Sequence, residues 1–319
     1  VTTSSAHHIP VLRERVFALL APALTRPGAV FVDATVGLGG HCEFALESFP
    51  DLRVIGIDRD PSALALSRDR LSRFGVRVQL MHAVYDELPE VLARAGLECV
   101  DGILFDLGVS SMQLDDPQRG FAYSVDTPLD MRMNHEDDDA LTAADIVNDY
   151  SEADIARILR DFADERFATR IARGIARARS VAPITSSGQL VEIVRAAIPA
   201  PARRTGGNPA KRTFQALRIE VNGELECLRR AIPAALDVLG VGGRLVVLSY
   251  QSLEDRIVKA EFTRRTRLDV PVDLPVIPEG HEPAFRLLIS GSQKASEAEI
   301  AANPRAASVR LRAIERVAA

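Results

Sequence analysis

The chain has 319 residues, 47% of them hydrophobic, with a formal net charge of −5 and a mean hydropathy of +0.03. That length can bury one large core or two modest ones, and no apolar run approaches the roughly 18 residues needed to span a bilayer. Three widely spaced cysteines, Cys42, Cys99 and Cys227, fit neither a disulfide framework nor a zinc site, and residues 1–6 lack the basic and apolar regions of a signal peptide, which points to a reducing cytoplasm.

Residues 10–20 read as an opening helix with apolar Val11, Val16, Leu19 and Leu20. A short β-branched run over 29–32 predicts a buried strand that ends in Asp33. Gly37, Gly39 and Gly40 follow in a G-x-G-G arrangement, and His41 opens a helix. A strand, a glycine turn and a helix N-terminus place a ligand at the carboxyl edge of a parallel sheet, where side chains would block close backbone approach. A second strand over 53–58 also ends in an acid, Asp58, 18 positions after Gly40. That spacing suits the two hydroxyls of an adenosine ribose. The nicotinamide fingerprint is G-x-G-x-x-G, but here the third glycine directly follows the second and position 42 is Cys. Asp33 is poorly placed for an anionic pyrophosphate. A ligand with an ammonium, a sulfonium and a ribose, S-adenosylmethionine, fits better, and the D-x-x-x-G-x-G-G loop resembles the first motif of the class I methyltransferases.

A helix over 62–74 starts behind Pro61, and 76–81 alternates as a third strand with Tyr85 just past its tip. A helix over 86–95 stops at Gly96. A fourth strand over 100–106 ends in Asp106. These βαβ repeats predict a parallel sheet. From about 113 to 212 strand-like runs become scarce, and helices are predicted over 140–149, 152–162, 165–180 and 187–197. An apolar-striped segment over 213–239 is interrupted by Gly223 and Pro233. Gly242-Gly243 turns into a fifth strand over 244–250, followed by a helix over 252–265. Two late strands over 285–290 and 308–316, with Asn303-Pro304 in the connecting loop, suit an antiparallel pair closing the sheet. The expected fold is therefore α/β and Rossmann-like: a mostly parallel seven-stranded sheet with an antiparallel closing strand and a helical insertion. Residues 1–112 and 213–319 would form the catalytic domain, and 113–212 the insertion.

Charge is unevenly spread. Residues 113–154 hold 12 acidic and 2 basic side chains, a net of −10, whereas 156–218 hold 13 basic and 4 acidic, a net of +9. Such a reversal suggests a basic face for a polyanion, against the plainer reading of a solvated Arg-rich surface. Arg132, Lys211 and Arg212 are the candidate phosphate contacts. No motif demands a metal, and Glu136-Asp137-Asp138-Asp139 reads as an exposed acidic loop. With no Trp and only four Tyr, extensive base stacking is not the recognition mode.

Many ordered segments are similar to a single family. They include His8-Ile9-Pro10-Val11-Leu12, Asp33 to His41, Ile57-Asp58-Arg59-Asp60 and Asp106-Leu107-Gly108-Val109-Ser110-Ser111. Further on are Pro128-Leu129-Asp130-Met131-Arg132-Met133, Arg212-Thr213-Phe214-Gln215-Ala216-Leu217 and Ser252-Leu253-Glu254-Asp255-Arg256. Together they resemble the bacterial 16S rRNA cytosine-N4 methyltransferases of the RsmH (MraW) family, over about residues 8–316. The resemblance implies methyl transfer from S-adenosylmethionine to the exocyclic N4 of a cytidine in the decoding region of 16S rRNA. It further implies a cofactor loop at Gly39, Gly40 and His41, a ribose acid at Asp58, an adenine-side aromatic at Tyr85 and further cofactor positions at Asp106 and Gln113. The helical insertion would recognise RNA, with a 30S subunit as substrate. The sequence leaves the oligomeric state open, a homodimer included.

Two segments depart from the family pattern. Ser249-Tyr250-Gln251 stands where relatives often have Ser-Phe-His, and Asn208 where they often have His, so neither Gln251 nor Asn208 can serve as a titrating base. Asp106, at a strand tip beside Gly108, is the expected acceptor for an amine hydrogen of the cytosine. Three rival readings are a DNA cytosine-N4 methyltransferase, a non-catalytic RNA-binding factor and a nicotinamide oxidoreductase. The first lacks its usual Pro-Pro-Tyr/Trp motif after Asp106, the second leaves the intact glycine loop without a use, and the third fails on glycine spacing.

Overall fold

The computed structural model describes residues 10–203, 208–268 and 282–318. His8 and Ile9 of the first motif lie outside the described residues. The chain divides into two compact units, Val1–Gly108 with Glu226–Ala319 and Val109–Leu225.

The first unit is built on a seven-stranded sheet. Its strands are β1 (Val30–Asp33), β2 (Arg53–Asp58), β3 (Val78–His82), β4 (Val100–Asp106), β5 (Leu239–Ser249), β6 (Phe285–Leu287) and β7 (Arg310–Arg316). Their spatial order is β3-β2-β1-β4-β5-β7-β6. The first five are parallel to one another, and β7 lies antiparallel between β5 and β6. The predicted parallel sheet with an antiparallel closing pair is thus present. Helices α1 (Arg13–Leu24), α2 (Gly40–Ser48) and α3 (Pro61–Leu71) cover one face, where Phe17, Leu20, Leu46 and Leu64 pack on Phe31, Val54, Leu104 and Val246. Helices α4 (Leu88–Arg94), α12 (Glu224–Asp237) and α13 (Ser252–Thr266) cover the other, burying Val91, Ile232, Leu236 and Phe262 against Val32, Ile55, Phe105 and Val247. Sandwiching by helices explains why β1 is buried at all four positions and reads as a continuous apolar run. Strand order reverses between β1 and β4, so the carboxyl ends of those strands flank the ligand crevice of this topology.

Three local expectations are corrected. Pro233 does not interrupt the chain but lies inside α12. Burial of Ala231, Ile232, Ala235 and Leu236 outweighs the roughly 3 kcal/mol that an interior proline costs a helix. The fifth strand starts at Leu239, through Gly242-Gly243, because Val100 pairs with Leu239 and the register then shifts before Gly102 meets Arg244. Between β6 and β7 there is a short helix, α14 (Glu297–Ala302), capped by Ser296, with Asn303-Pro304 opening the turn behind it.

The second unit contains α5 (Ser111–Asp115), α6 (Ala143–Asp149), α7 (Glu152–Ala163), α8 (Ala168–Arg179), α9 (Ser187–Ala197), α10 (Ala200–Arg203) and α11 (Lys211–Asn222). Side-chain caps fix several starts. Thr142, Ser151 and Ser186 each accept the amide three residues on, at 3.2, 3.1 and 3.4 Å. Ile155, Leu159, Ile171, Ile175, Leu190, Val194, Phe214 and Leu217 form this unit's own core. The apolar stripe of α11 therefore belongs to this unit's core.

Candidate active site

The site is assembled at the carboxyl edge of the first unit's sheet. Three neighbouring strands, β2, β1 and β4, end in Asp58, Asp33 and Asp106. Asp33 is buried, takes the amide of Thr35 at 3.2 Å on Oδ1 and receives the Cys42 thiol at 3.4 Å on Oδ2. Burial raises its carboxyl above the ordinary range, and His41 and Thr35 partly offset this. Asp58 takes Gly37 N–H at 2.8 Å and Asp60 N–H at 2.9 Å, one on each oxygen. It thereby ties the glycine loop to the tip of β2 while keeping lone pairs on both oxygens for a ligand. Burial pushes its carboxyl up to about 6, and the negative charges of Asp60 and Asp33 add to the shift.

The glycine loop is shaped by conformation and by clamps from behind. Gly37 and Gly39 have φ of +51° and +76°, which non-glycine residues adopt only with strain. A Cβ on Gly39 would sit 3.3 Å from both Leu71 Cδ1 and Ser67 Oγ, and one on Gly40 only 2.6 Å from Pro10 Cγ. Ser67 donates to Gly37 O at 2.6 Å, and Arg70 donates to Leu38 O at 3.3 Å while pairing with Glu43 at 2.6 Å. Helix α3 thus holds the loop's carbonyls away from the ligand side.

His41, in the first turn of α2, is 6% exposed, and neither of its ring nitrogens has a hydrogen-bond partner. Its Nε2 lies 3.5 Å from Asp106 Oδ2, with no hydrogen bond between them. Unsatisfied buried polar atoms are uncommon, and each calls for a bound water, an ion, a ligand or local strain to account for it. Asp106 is anchored through its backbone amide to Thr35 Oγ1 at 2.8 Å and accepts the Tyr250 hydroxyl on Oδ1 at 2.6 Å. Tyr85 opens a turn just after β3, and its ring meets Phe105 edge-on at 5.6 Å between centroids.

The first unit therefore brings together Asp33, Gly37, Gly39, Gly40, His41, Asp58 and Asp106, with Tyr85 at the neighbouring strand tip. Gln113 belongs to the second unit. There it is buried in a reciprocal cap with Ser110, whose amide it accepts at 3.0 Å. Arg132 is largely withdrawn from solvent: it grips both oxygens of Asp130, with Nη2 at 2.7 Å, and donates to Asp137 O. That guanidinium also braces its own loop through Asp130 and Asp137 O. Lys211 and Arg212 are exposed in the first turn of α11, where positive charge opposes the helix dipole. Arg212 also donates to Asp164 O at 2.9 Å. Residues 136–139 are exposed, and among the described residues no group of three or more His, Cys, Asp or Glu could hold a metal ion. No helix among the described residues is long and apolar enough to cross a membrane.

Sequence reasoning missed Thr35, Ser67, Arg70, Tyr250 and Glu254. Glu254 accepts the amides of Tyr250 and Gln251 at 2.8 and 3.0 Å, so Gln251 serves as the N-cap residue of α13. A Glu three residues after the cap is a readable signal of that role. Asn208 accepts Ala210 N–H at 2.9 Å, a turn that leads into α11.

Comparison with known proteins places this arrangement. The chain is 64% identical over 313 residues to the ribosomal RNA small subunit methyltransferase H of a Nocardioides species, covering 98% of each chain. It is 63% identical to the protein of that name in Frankia alni, covering 98% of this chain and 95% of the other. With the Parafrankia protein of the same name identity is 62%, with the same coverage. The model of the MraW methylase family matches residues 5–317, and the chain belongs to that family.

Proposed function

We propose that this chain transfers a methyl group from S-adenosylmethionine to the exocyclic N4 of a cytidine in the decoding region of 16S rRNA. The observation that carries the cofactor reading is the row of Asp33, Asp58 and Asp106 at three adjacent strand tips. Crowded carboxylates favour a ligand that brings positive charge, and they disfavour a pyrophosphate. The orphaned nitrogens of His41 and the close approach allowed by Gly39 and Gly40 fit the same ligand. When bound, S-adenosylmethionine supplies a methyl group on a good leaving group.

The chain's own residues do the rest. Asp58 accepts the ribose hydroxyls. Gly37, Gly39, Gly40 and His41 line the ligand with backbone and imidazole, Asp33 supports the loop from beneath, and Tyr85 covers the adenine. The N4 lone pair of cytosine is delocalised into the ring, so the amine must be held in line with the methyl at roughly 3 Å, where orientation supplies several kcal/mol. Asp106 would accept an amine hydrogen of the cytosine, raising electron density on N4, and would be the acceptor for the proton the amine has to release. The target base is single-stranded or flipped. Lys211 and Arg212 contact phosphate, and the exposed arginines of the helical unit add a basic field. An acidic protein with few aromatics reads folded RNA by shape, which favours the assembled 30S subunit, in the cytoplasm, over a naked strand.

Mass spectrometry of 16S rRNA nucleosides from cells with and without the protein tests the reading, paired with purified protein, labelled S-adenosylmethionine and 30S subunits. Loss of N4-methylated cytidine in cells and its restoration in vitro are expected. Unchanged rRNA, with label passing to DNA or to nothing, removes the substrate assignment.

A further inference from the structure

We propose that Tyr250 is a positioning residue for the reaction: its hydroxyl fixes the Asp106 carboxylate so that Oδ1 is occupied and Oδ2 is presented to the amine. The inference rests on the role given to Asp106 above. Tyr250 immediately follows β5, the strand paired with β4 through Asp106 and Leu248. Its hydroxyl reaches Asp106 Oδ1 at 2.6 Å, the length of a strong charge-assisted O–H···O⁻ bond. Its backbone amide is held in turn by buried Glu254 at 2.8 Å. The ring runs beside Gly108, where a Cβ would stand 3.8 Å from Tyr250 Cδ2.

The hydroxyl is a donor and nothing else. Burial, Asp106 and Glu254 all push its ionisation well above the ordinary tyrosine value, so it keeps its proton and cannot act as a base. Torsion about the last bond of an aspartate is soft, with broad preferences. Without the phenol, the Asp106 side chain would be left, among the described residues, with its anchored backbone amide and a His41 ring 3.5 Å away that makes no hydrogen bond to it. With it, one oxygen is satisfied and the other keeps its acceptor sites, beside an imidazole that has no partner of its own. Loss of the hydroxyl therefore spreads the carboxylate over orientations, only some of which meet the amine.

Tyr250→Phe removes the hydroxyl and keeps the ring. The expected result is a kcat for 30S methylation at least tenfold lower and a Kd for S-adenosylmethionine raised threefold or more, with an unchanged circular dichroism spectrum. The same change made in Asp106→Ala should alter the cofactor Kd by less than twofold, because no carboxylate is left to orient. Wild-type kcat and Kd in Tyr250→Phe would overturn the proposal. So would an equal loss of cofactor affinity in the Asp106→Ala background, since that would be a packing effect. Failure of the unmodified protein to methylate 30S subunits would instead remove the RNA reading, and the coupling between positions 250 and 106, read by calorimetry with cofactor alone, would still decide the role of Tyr250.

Discussion

The two compact units treat charge in opposite ways. In the first, Asp33, Asp58 and Asp106 stand at strand tips, and each is held by a backbone amide, a hydroxyl or a thiol. In the second, several arginines lie on exposed helix faces and pair loosely with nearby acids, such as Arg157 with Asp154 at 3.7 Å and Arg173 with Glu152 at 3.6 Å, although Arg119, Arg132 and Arg218 are withdrawn from solvent. A charge fixed by backbone geometry in a partly dry place can recognise one ligand atom. A charge on a flexible surface stem contributes a field that salt screens. The first unit therefore fixes individual charges, and the second spreads many of its charges over an exposed surface.

The sharpest way to break this contrast is Asp106→Ala. Transfer to 30S subunits should fall at least 100-fold, the range for losing a positioned acid or base, while S-adenosylmethionine binding by calorimetry stays within tenfold. An equal fall in both would reduce Asp106 to a cofactor ligand. Gly39→Ala comes next. Its φ of +76° and contacts at 3.3 Å predict about 1–2 kcal/mol less stability in urea titration, together with a tenfold or greater loss of cofactor affinity.

Asp58 gives a pH signature of intermediate size. Burial raises its carboxyl from 3.8 to about 6. Between those values the folded chain holds a proton that the unfolded chain has released, so this group's contribution to stability declines as pH rises through that window. Ribose recognition runs the other way, because a protonated Asp58 loses acceptor sites. Cofactor affinity should be flat above pH 7 and weaken by up to tenfold per unit as pH falls below about 6; a flat profile down to pH 5 would separate Asp58 from the ligand. The smallest effects belong to the second unit. Lys211→Ala and Arg212→Ala should each weaken RNA binding threefold to tenfold and lower the salt slope by about 1, with no change in cofactor affinity. Unchanged RNA binding would leave both as solvated surface.

The sheet edge was largely legible because its signals are local. A buried β-branched run ending in an acid, then G-x-G-G, is set by a dozen consecutive residues that contain Asp33 and Gly39, and Asp58 ends the next strand 18 positions after Gly40. The Tyr250 contact with Asp106 joins positions 144 apart in the chain, and only the pairing of β4 with β5 brings them together. Arg132 shows a second kind of contact: its pairing with Asp130, two residues away, was not read from its identity. At Pro233, packing against the sheet outweighs a local signal. Helix starts in the second unit were readable where Ser or Thr caps them, as at Ser151 and Ser186.

The sheet's connectivity also bears on how the chain reaches its native state. Strands β4 and β5 are hydrogen-bonded neighbours, yet the whole helical unit is threaded between them in sequence. Closing an unstructured loop of roughly 130 residues costs about 4 kcal/mol in chain entropy, beyond a constant. A unit with its own core can fold early and shorten that loop before β5 docks. Substitutions that loosen the Ile171 and Ile175 core should therefore slow the collapse of the distant sheet, and expose its apolar strands for longer, even where the finished site is chemically intact.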